Sequence, residues 1–204
     1  MSDLVMRLNA EIADLVDRVR HSLVHVSNSG RSHGAGIILR SDGLILTNAH
    51  VIRSQGLRVT LPDGETLPAR VVAFDTRRDL AALKVEAYNL PALELGDSTE
   101  LQAGEWVFAL GHPWGVAGAV SSGVAIDGGA EVQGQVVAAR EWLPVNLRLR
   151  PGNSGGPLVD VQGRLLGVTA VMAGSEVGLA VSAQVIREFL RGVFDEDGPV
   201  PEIV

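Results

Sequence analysis

The 204-residue chain is 46% hydrophobic, contains 24 glycines and nine prolines, lacks cysteine and carries a formal net charge of −7. This composition excludes a disordered chain, a disulfide scaffold, a thiolate nucleophile and a Cys-based zinc site. The acidic balance argues against a surface that tracks phosphates, so no nucleic-acid partner is expected.

Turn-forming residues dispersed between β-branched runs point to an all-β protein of many short strands. At the N-terminus, Val5, Leu8, Ile12, Leu15 and Val19 alternate spacings of three and four, which predicts a helix over 1–20 with Ser2 as cap and one apolar face on the body of the protein. The same residues lack the unbroken apolar core of a secretory signal, and no later segment reaches membrane-spanning length. With Met1 as the native start the protein is cytoplasmic; with a signal removed it is exported or periplasmic.

From His21 the period changes to that of strands. Ser22–Ser27, Gly34–Arg40, Leu44–Thr47, Leu57–Leu61, Arg70–Phe74 and Leu80–Val85 form a first set, with Asp42-Gly43 and Asp63-Gly64 as hairpin turns. A connector from Leu90 to Gly104 leads to Trp106–Leu110, Ala119–Ala125, Gln135–Ala138, Trp142–Val145, Pro157–Val159, Leu165–Val171 and Val177–Val181. Ser182 then caps a helix with Val185, Ile186, Phe189 and Leu190 on one face and Gly192 as stop signal. The expected architecture is two packed six-stranded β-barrels, residues 21–95 and 96–182, with a helix at 183–192, an acidic tail at 195–204 and a cleft between the lobes.

The string Pro151-Gly-Asn-Ser-Gly-Gly-Pro157 sets a serine between glycines, which lets the backbone turn sharply and a substrate approach. It also satisfies Gly-x-Ser-x-Gly, but in the α/β-hydrolase elbow the histidine follows the serine, whereas histidines 21, 25, 33, 50 and 112 all precede Ser154. A His, Asp, Ser order is that of chymotrypsin-like proteases. His50 ends the apolar strand Leu44-Ile-Leu-Thr and is the candidate base; His112, in Gly-His-Pro, reads as a loop residue. His21 and His25 have metal-ligand spacing without a third ligand, so no metal or other cofactor is expected. Among Asp63, Asp75, Asp79, Asp97 and Asp127, Asp63 and Asp127 precede glycine and serve turns. Asp79 opens the apolar run Leu-Ala-Ala-Leu and is preferred as the acid, with Asp75 second.

Five segments in order, including Asp42–His50, Asp79–Val85, Gly104–Gly115, Gly152–Leu158 and Gly178–Ser182, resemble the HtrA (DegP-like) branch of trypsin-like serine proteases over about residues 20–192. The resemblance implies a protease domain over 1–194 and an endopeptidase of protein quality control that cleaves unfolded or misfolded polypeptides. His50, Asp79 and Ser154 take the triad places, and the N–H groups of Gly152 and Ser154 the oxyanion hole. The alternative is a weakly active or dormant fold that serves as a peptide-binding or chaperone-like module. Relatives often carry a PDZ domain after the protease, and none is expected within this sequence. Trimers are common among them, which suggests a homo-oligomer formed through the N-terminal helix. Counting six residues back from the serine places Arg148 at the base of the primary pocket; alternation instead turns Leu149 inward, with Val168–Ala173, Val171 and Met172 among them, as apolar wall.

Overall fold

The computed structural model describes residues 2–28, 31–52, 56–126, 130–132, 135–137, 141–173 and 176–194. Six antiparallel strands, β1 (Leu23–Asn28), β2 (Arg31–Arg40), β3 (Leu44–Thr47), β4 (Leu57–Thr60), β5 (Thr66–Asp75) and β6 (Leu80–Val85), close on themselves in the order β1-β2-β3-β6-β5-β4. Residues 106–182 hold β7 (Trp106–Gly111), β8 (Ala119–Ala125), β9 (Ala130–Val132), β10 (Gln135–Val137), β11 (Trp142–Asn146), β12 (Pro157–Val159), β13 (Leu165–Met172) and β14 (Val177–Ser182). Here the closed sheet runs β7-β8-β11-β14-β13-β12. With β9 and β10 set aside, the two strand orders are the same.

The expected two barrels are therefore present, with one correction. Gln135–Val137 does not enter the second barrel; it pairs with Ala130–Val132 in a separate two-stranded sheet. The barrel closes without it because β8 pairs directly with β11, Val145 opposite Ala125.

Each barrel has its own core, with Val24, Ile38, Ile45 and Leu83 in the first and Val107, Val145, Leu158 and Ala180 in the second. Two helices fasten the lobes to each other. Helix α2 (Ala183–Phe194) sets Val185, Ile186 and Phe189 into a cluster with Ile37, Leu46 and Leu80 of the first barrel and Leu165 and Val181 of the second. The Ser182 hydroxyl accepts the Val185 N–H at 3.3 Å, the predicted cap. The helix runs two residues beyond Gly192, which does not take the left-handed conformation a stop requires.

Helix α1 (Ser2–Arg20) seals the other side, where Leu15, Val16 and Val19 meet Leu23, Phe108, Leu110 and Val159. Each such burial contributes about 1.5–3 kcal/mol. Only this C-terminal half packs as expected: Val5 is 56% and Leu8 48% exposed, and Ser2 lies inside the helix rather than before it. Among the described residues no helix is long and apolar enough to cross a membrane.

Candidate active site

His50 stands in the 3₁₀ turn Ala49–Val51 immediately after β3, whose four residues are all buried. The turn hangs from a fixed strand end, since the Thr47 hydroxyl donates to the Ala35 carbonyl at 2.7 Å. Asp79 precedes β6, the strand hydrogen-bonded to β3, so the sheet carries the two residues to one place. Its carboxylate lies 2.8 Å (Oδ2) and 3.0 Å (Oδ1) from His50 Nδ1, and Oδ1 also accepts the His50 backbone N–H at 3.0 Å. A carboxylate bonded to both groups fixes Nδ1 as the protonated nitrogen and leaves Nε2 as the basic one. Asp79 holds a left-handed backbone, φ 53°, a conformation aspartate tolerates better than most residues.

The second-ranked acid is otherwise engaged. Asp75 Oδ1 accepts the N–H groups of Arg77 and Arg78 at 2.9 and 3.0 Å, and Oδ2 pairs with the Arg78 guanidinium at 3.3 Å. Asp63 and Asp97 cap their own turns through Glu65 and Thr99, and Asp127 lies outside the described residues.

Arg150-Pro151-Gly152-Asn153 is a type II turn: the Asn153 N–H donates to the Arg150 carbonyl at 2.9 Å, and Gly152 has φ 102°. Proline suits the first central position and glycine the second, where a side chain would be strained. A Cβ on Gly152 would also collide with the His112 carbonyl. Beyond the serine, Gly155 has φ 85° and presses so closely on the Ala35 carbonyl and Thr47 that any side chain there would clash. The Ser154 carbonyl accepts the Ala35 N–H at 2.8 Å, and its hydroxyl donates to the Ala170 carbonyl of β13 at 3.0 Å.

The N–H groups of Asn153, Gly155 and Gly156 all find acceptors. Those of Gly152 and Ser154 find none among the described residues. Two unspent donors flank the serine.

One residue that sequence reasoning passed over joins the two halves. Asn48, fully buried, donates from Nδ2 to the Asp79 carbonyl at 2.9 Å and accepts the Gly155 N–H on Oδ1 at 2.7 Å. The residue after the serine is thereby tied to the residue two before the histidine. The available signal was an amide side chain between a buried strand and a candidate base, a place where an unpaired polar group is costly.

The remaining histidines lie elsewhere. His21 Nδ1 bonds the Asp17 carbonyl at 2.7 Å, and the rings of His25 and His112 meet edge to face at 5.4 Å. His112 is a loop residue as expected, but a buried one. Its pKa falls to about 4, chiefly through burial and secondarily through His25, against a small opposing effect of the Val24 backbone. Gly118 donates to its Nδ1 at 3.2 Å, so the proton of the neutral ring sits on Nε2, which has no well-formed hydrogen bond.

Of the residues predicted to line a substrate pocket, Leu149 and Met172 are brought together, the Leu149 N–H reaching Met172 Sδ at 3.1 Å. Val171 is half-buried on the same strand. Burial alternates from Asn146 to Arg150, with Leu147 and Leu149 inward and Arg148 exposed on the opposite face, as the alternation predicts.

The trypsin-like peptidase domain family matches residues 34–168. HhoB of Synechocystis sp., named as a serine protease, is 39% identical over 79% of this chain and 40% of its own length. A protein of Chlamydia muridarum described as a DegP-like periplasmic serine endoprotease is 36% identical over 82% of this chain and 34% of its own. Human serine protease HTRA4 is 36% identical over 88% of this chain, which spans 40% of it. The chain thus covers two fifths or less of the length of these curated relatives. Among solved structures, the HtrA-type protease AlgW with decapeptide superposes with a TM-score of 0.80 at 27% identity, covering 90% of this chain and 67% of that one. Strand order, a clamped imidazole, a serine in a glycine turn and these matches agree: the chain belongs to the trypsin-like peptidase family, in its HtrA (DegP-like) branch.

Proposed function

We propose that the chain is a serine endopeptidase that hydrolyses unfolded or extended polypeptides through an acyl-enzyme, with His50, Asp79 and Ser154 as its triad. The observation that carries this reading is the junction at Asn48, which binds the carboxylate-clamped histidine segment to the serine turn. His50 Nε2 takes the Ser154 proton as Oγ attacks the peptide carbonyl, then delivers it to the departing amine as the C–N bond breaks. Water, deprotonated by the same nitrogen, releases the acyl group and restores the serine. Asp79 holds the tautomer and stabilises the imidazolium. The unspent N–H groups of Gly152 and Ser154 receive the developing oxyanion, each donor worth about 3–4 kcal/mol by the precedent of side-chain donors. An extended substrate adds along β13, and the peptides named with the AlgW structures support a polypeptide ligand.

A second reading, a proteolytically weak resting state that binds peptides, is favoured by one observation: the Ser154 hydroxyl spends its single proton on the Ala170 carbonyl. Attack requires that hydroxyl to turn to His50. A fluorophosphonate probe separates the two. A stoichiometric adduct on Ser154, lost in His50→Ala, supports the enzyme; peptide binding without adduct or cleavage supports the dormant module.

Self-association belongs to the same proposal. Leu4, Val5, Met6 and Leu8 stand exposed on α1, next to a cavity of about 540 Å³ lined by Ile12, Trp106 and Val161. Deleting residues 2–9, which leaves the packed Leu15, Val16 and Val19 in place, should lower the mass in solution; a monomeric full-length chain at micromolar concentration ends the idea.

A further inference from the structure

Away from β13, the serine turn carries a feature that the proposed reaction does not use. Trp114 is 71% exposed although its backbone is left-handed (φ 52°, ψ 27°), a strained state for a bulky residue. Its N–H reaches the Pro151 carbonyl at 3.4 Å, and the Arg150 guanidinium lies over its ring, 5.1 Å from the centroid. Arg150 is itself fixed at both ends: its N–H donates to Asn153 Oδ1 at 3.0 Å and its carbonyl accepts the Asn153 N–H at 2.9 Å. Indole and guanidinium are therefore anchored to the turn that presents Gly152.

Their position relative to a substrate follows from the two flanks of Ser154. On one flank the Ala170 carbonyl of β13 approaches the hydroxyl, the edge along which the acyl half would lie. On the other, Gly152 packs against His112 and Pro113, and Trp114 follows. A chain crossing the serine from β13 would therefore leave over Pro151 and Trp114. A guanidinium held over an indole face by cation–π attraction still has N–H donors to offer, in the fork geometry that matches a carboxylate. Among the described residues Arg150 makes no ion pair, and neither does Arg148, exposed on the same face, in a chain whose net charge is −7. An aromatic face under a free cation, at the exit of a proposed cleft, fits an acidic partner.

We propose that Trp114 and Arg150 form a subsite for a carboxylate on the leaving-group side of the substrate, either an acidic side chain or the chain terminus a few residues after the scissile bond. This rests on the endopeptidase reading above.

The test uses the full chain and peptides with one common acyl half. The second and third leaving-group positions carry Ala, Glu or Lys, each with a free or an amidated terminus. The acidic peptides should show kcat/KM about tenfold above the neutral ones, the size of one charge-assisted contact, and the Lys peptides should fall below. The preference should collapse in Arg150→Gln, persist in part in Arg150→Lys, and shrink in Trp114→Ala and at high salt. A Glu effect that survives amidation assigns the side chain; one that needs the free terminus assigns the terminus. Equal rates for Glu and Ala peptides, or a preference unchanged in Arg150→Gln, overturn the subsite. If no peptide is cleaved, the endopeptidase reading fails by itself. The subsite is then decided by indole fluorescence on Ser154→Ala: tighter binding of Glu than Ala peptides, lost with Arg150→Gln, upholds it, and equal binding overturns it.

Discussion

The two barrels share a strand order yet hold their halves of the site by different means. In the first, side chains do the positioning: a buried amide and a two-point carboxylate fix His50 at the end of a buried strand. In the second, backbone does most of it, since Ser154 is presented by a glycine-rich turn whose main-chain groups bond Ala35, His112, Arg150 and Thr169 among others, while the N–H groups of Gly152 and Ser154 find no acceptor among the described residues. The same sheet topology thus supports a half tuned by hydrogen-bonding side chains and a half tuned by the absence of side chains. Changing the side chains of the proposed triad should fail in chemistry, and adding side chains to the glycines of the serine turn should fail in folding.

The largest expected effect lies in the chemistry. Ser154→Ala should abolish peptide hydrolysis without altering the circular dichroism spectrum, and Asp79→Asn should lower kcat by about 10⁴ through the wrong histidine tautomer. Asp75→Asn, which weakens only the turn at Arg77 and Arg78, should leave kcat within a few-fold of the wild type. A severe Asp75→Asn beside a mild Asp79→Asn would mean that the acid is misassigned.

Next come the glycines. Gly155→Ala combines a left-handed backbone with a collision against the Ala35 carbonyl and Thr47, so it should cost about 2–5 kcal/mol in urea unfolding. Gly104→Ala has a similar φ of 90° and open space around it, and should cost only about 1–2 kcal/mol. Equal losses would mean that dihedral strain alone governs the serine turn. Asn48→Ala probes the seam between the halves: it leaves the partly buried Asp79 carbonyl without its donor and the Gly155 N–H with the Thr169 carbonyl as its one acceptor, so it should cost about 1–3 kcal/mol in total and lower kcat as well.

How much of this was legible in the sequence follows from the same contrast. Alternating apolar runs and the Asp-Gly turns disclose strands because period and turn chemistry are local. Ser154, His50 and Asp79 could be singled out as candidates by order and context, and the structure brings His50 and Asp79 into contact. The repeated strand order could not, because it depends on which strands pair across space. Gln135–Val137 looks like its neighbours in sequence yet finds its partner in Ala130–Val132. Asn48 reads locally as a turn residue, and its role appears only when Gly155, 107 positions away, arrives beside it. The α1 stripe is continuous in sequence, but the body of the protein is long enough to cover only its second half. His112 reads as loop, and burial against His25 is a tertiary fact.

That buried ring gives a smaller effect, expressed in stability. Its folded pKa of about 4 lies below the ordinary histidine value of 6.5, so the unfolded chain binds the proton more tightly. The contribution is therefore fully present above about pH 6.5 and is lost as pH falls towards 4, in total about 3 kcal/mol. Unfolding free energies measured between pH 3.5 and 7.5 should fall more steeply for the wild type than for His112→Asn, which retains an acceptor for Gly118 without a titrating ring. Parallel curves would show that the charged ring is accommodated.

The smallest effect concerns which bond is cut, and it tests whether the second barrel's backbone also shapes the pocket. Leu149 is 8% exposed and rests against Met172 and Gly178, while Arg148 is exposed on the other face. The residue six before the serine is Arg148 and not an acid that could receive lysine or arginine, so trypsin-like cleavage is expected to be disfavoured. An apolar wall of Leu149, Val171 and Met172 is expected to select small or medium aliphatic residues before the scissile bond. Discrimination by shape alone amounts to about 1–3 kcal/mol per methylene-sized difference, hence a broad profile. If Arg148 instead turned into the pocket, direct charge pairing would favour Asp or Glu. Cleavage sites mapped in an unfolded protein separate these outcomes. A majority after Val, Ala, Ile or Leu, unchanged in Arg148→Ala, supports the aliphatic wall; enrichment after Asp or Glu that disappears in Arg148→Ala rejects it and makes the outward face of 146–150 part of the pocket.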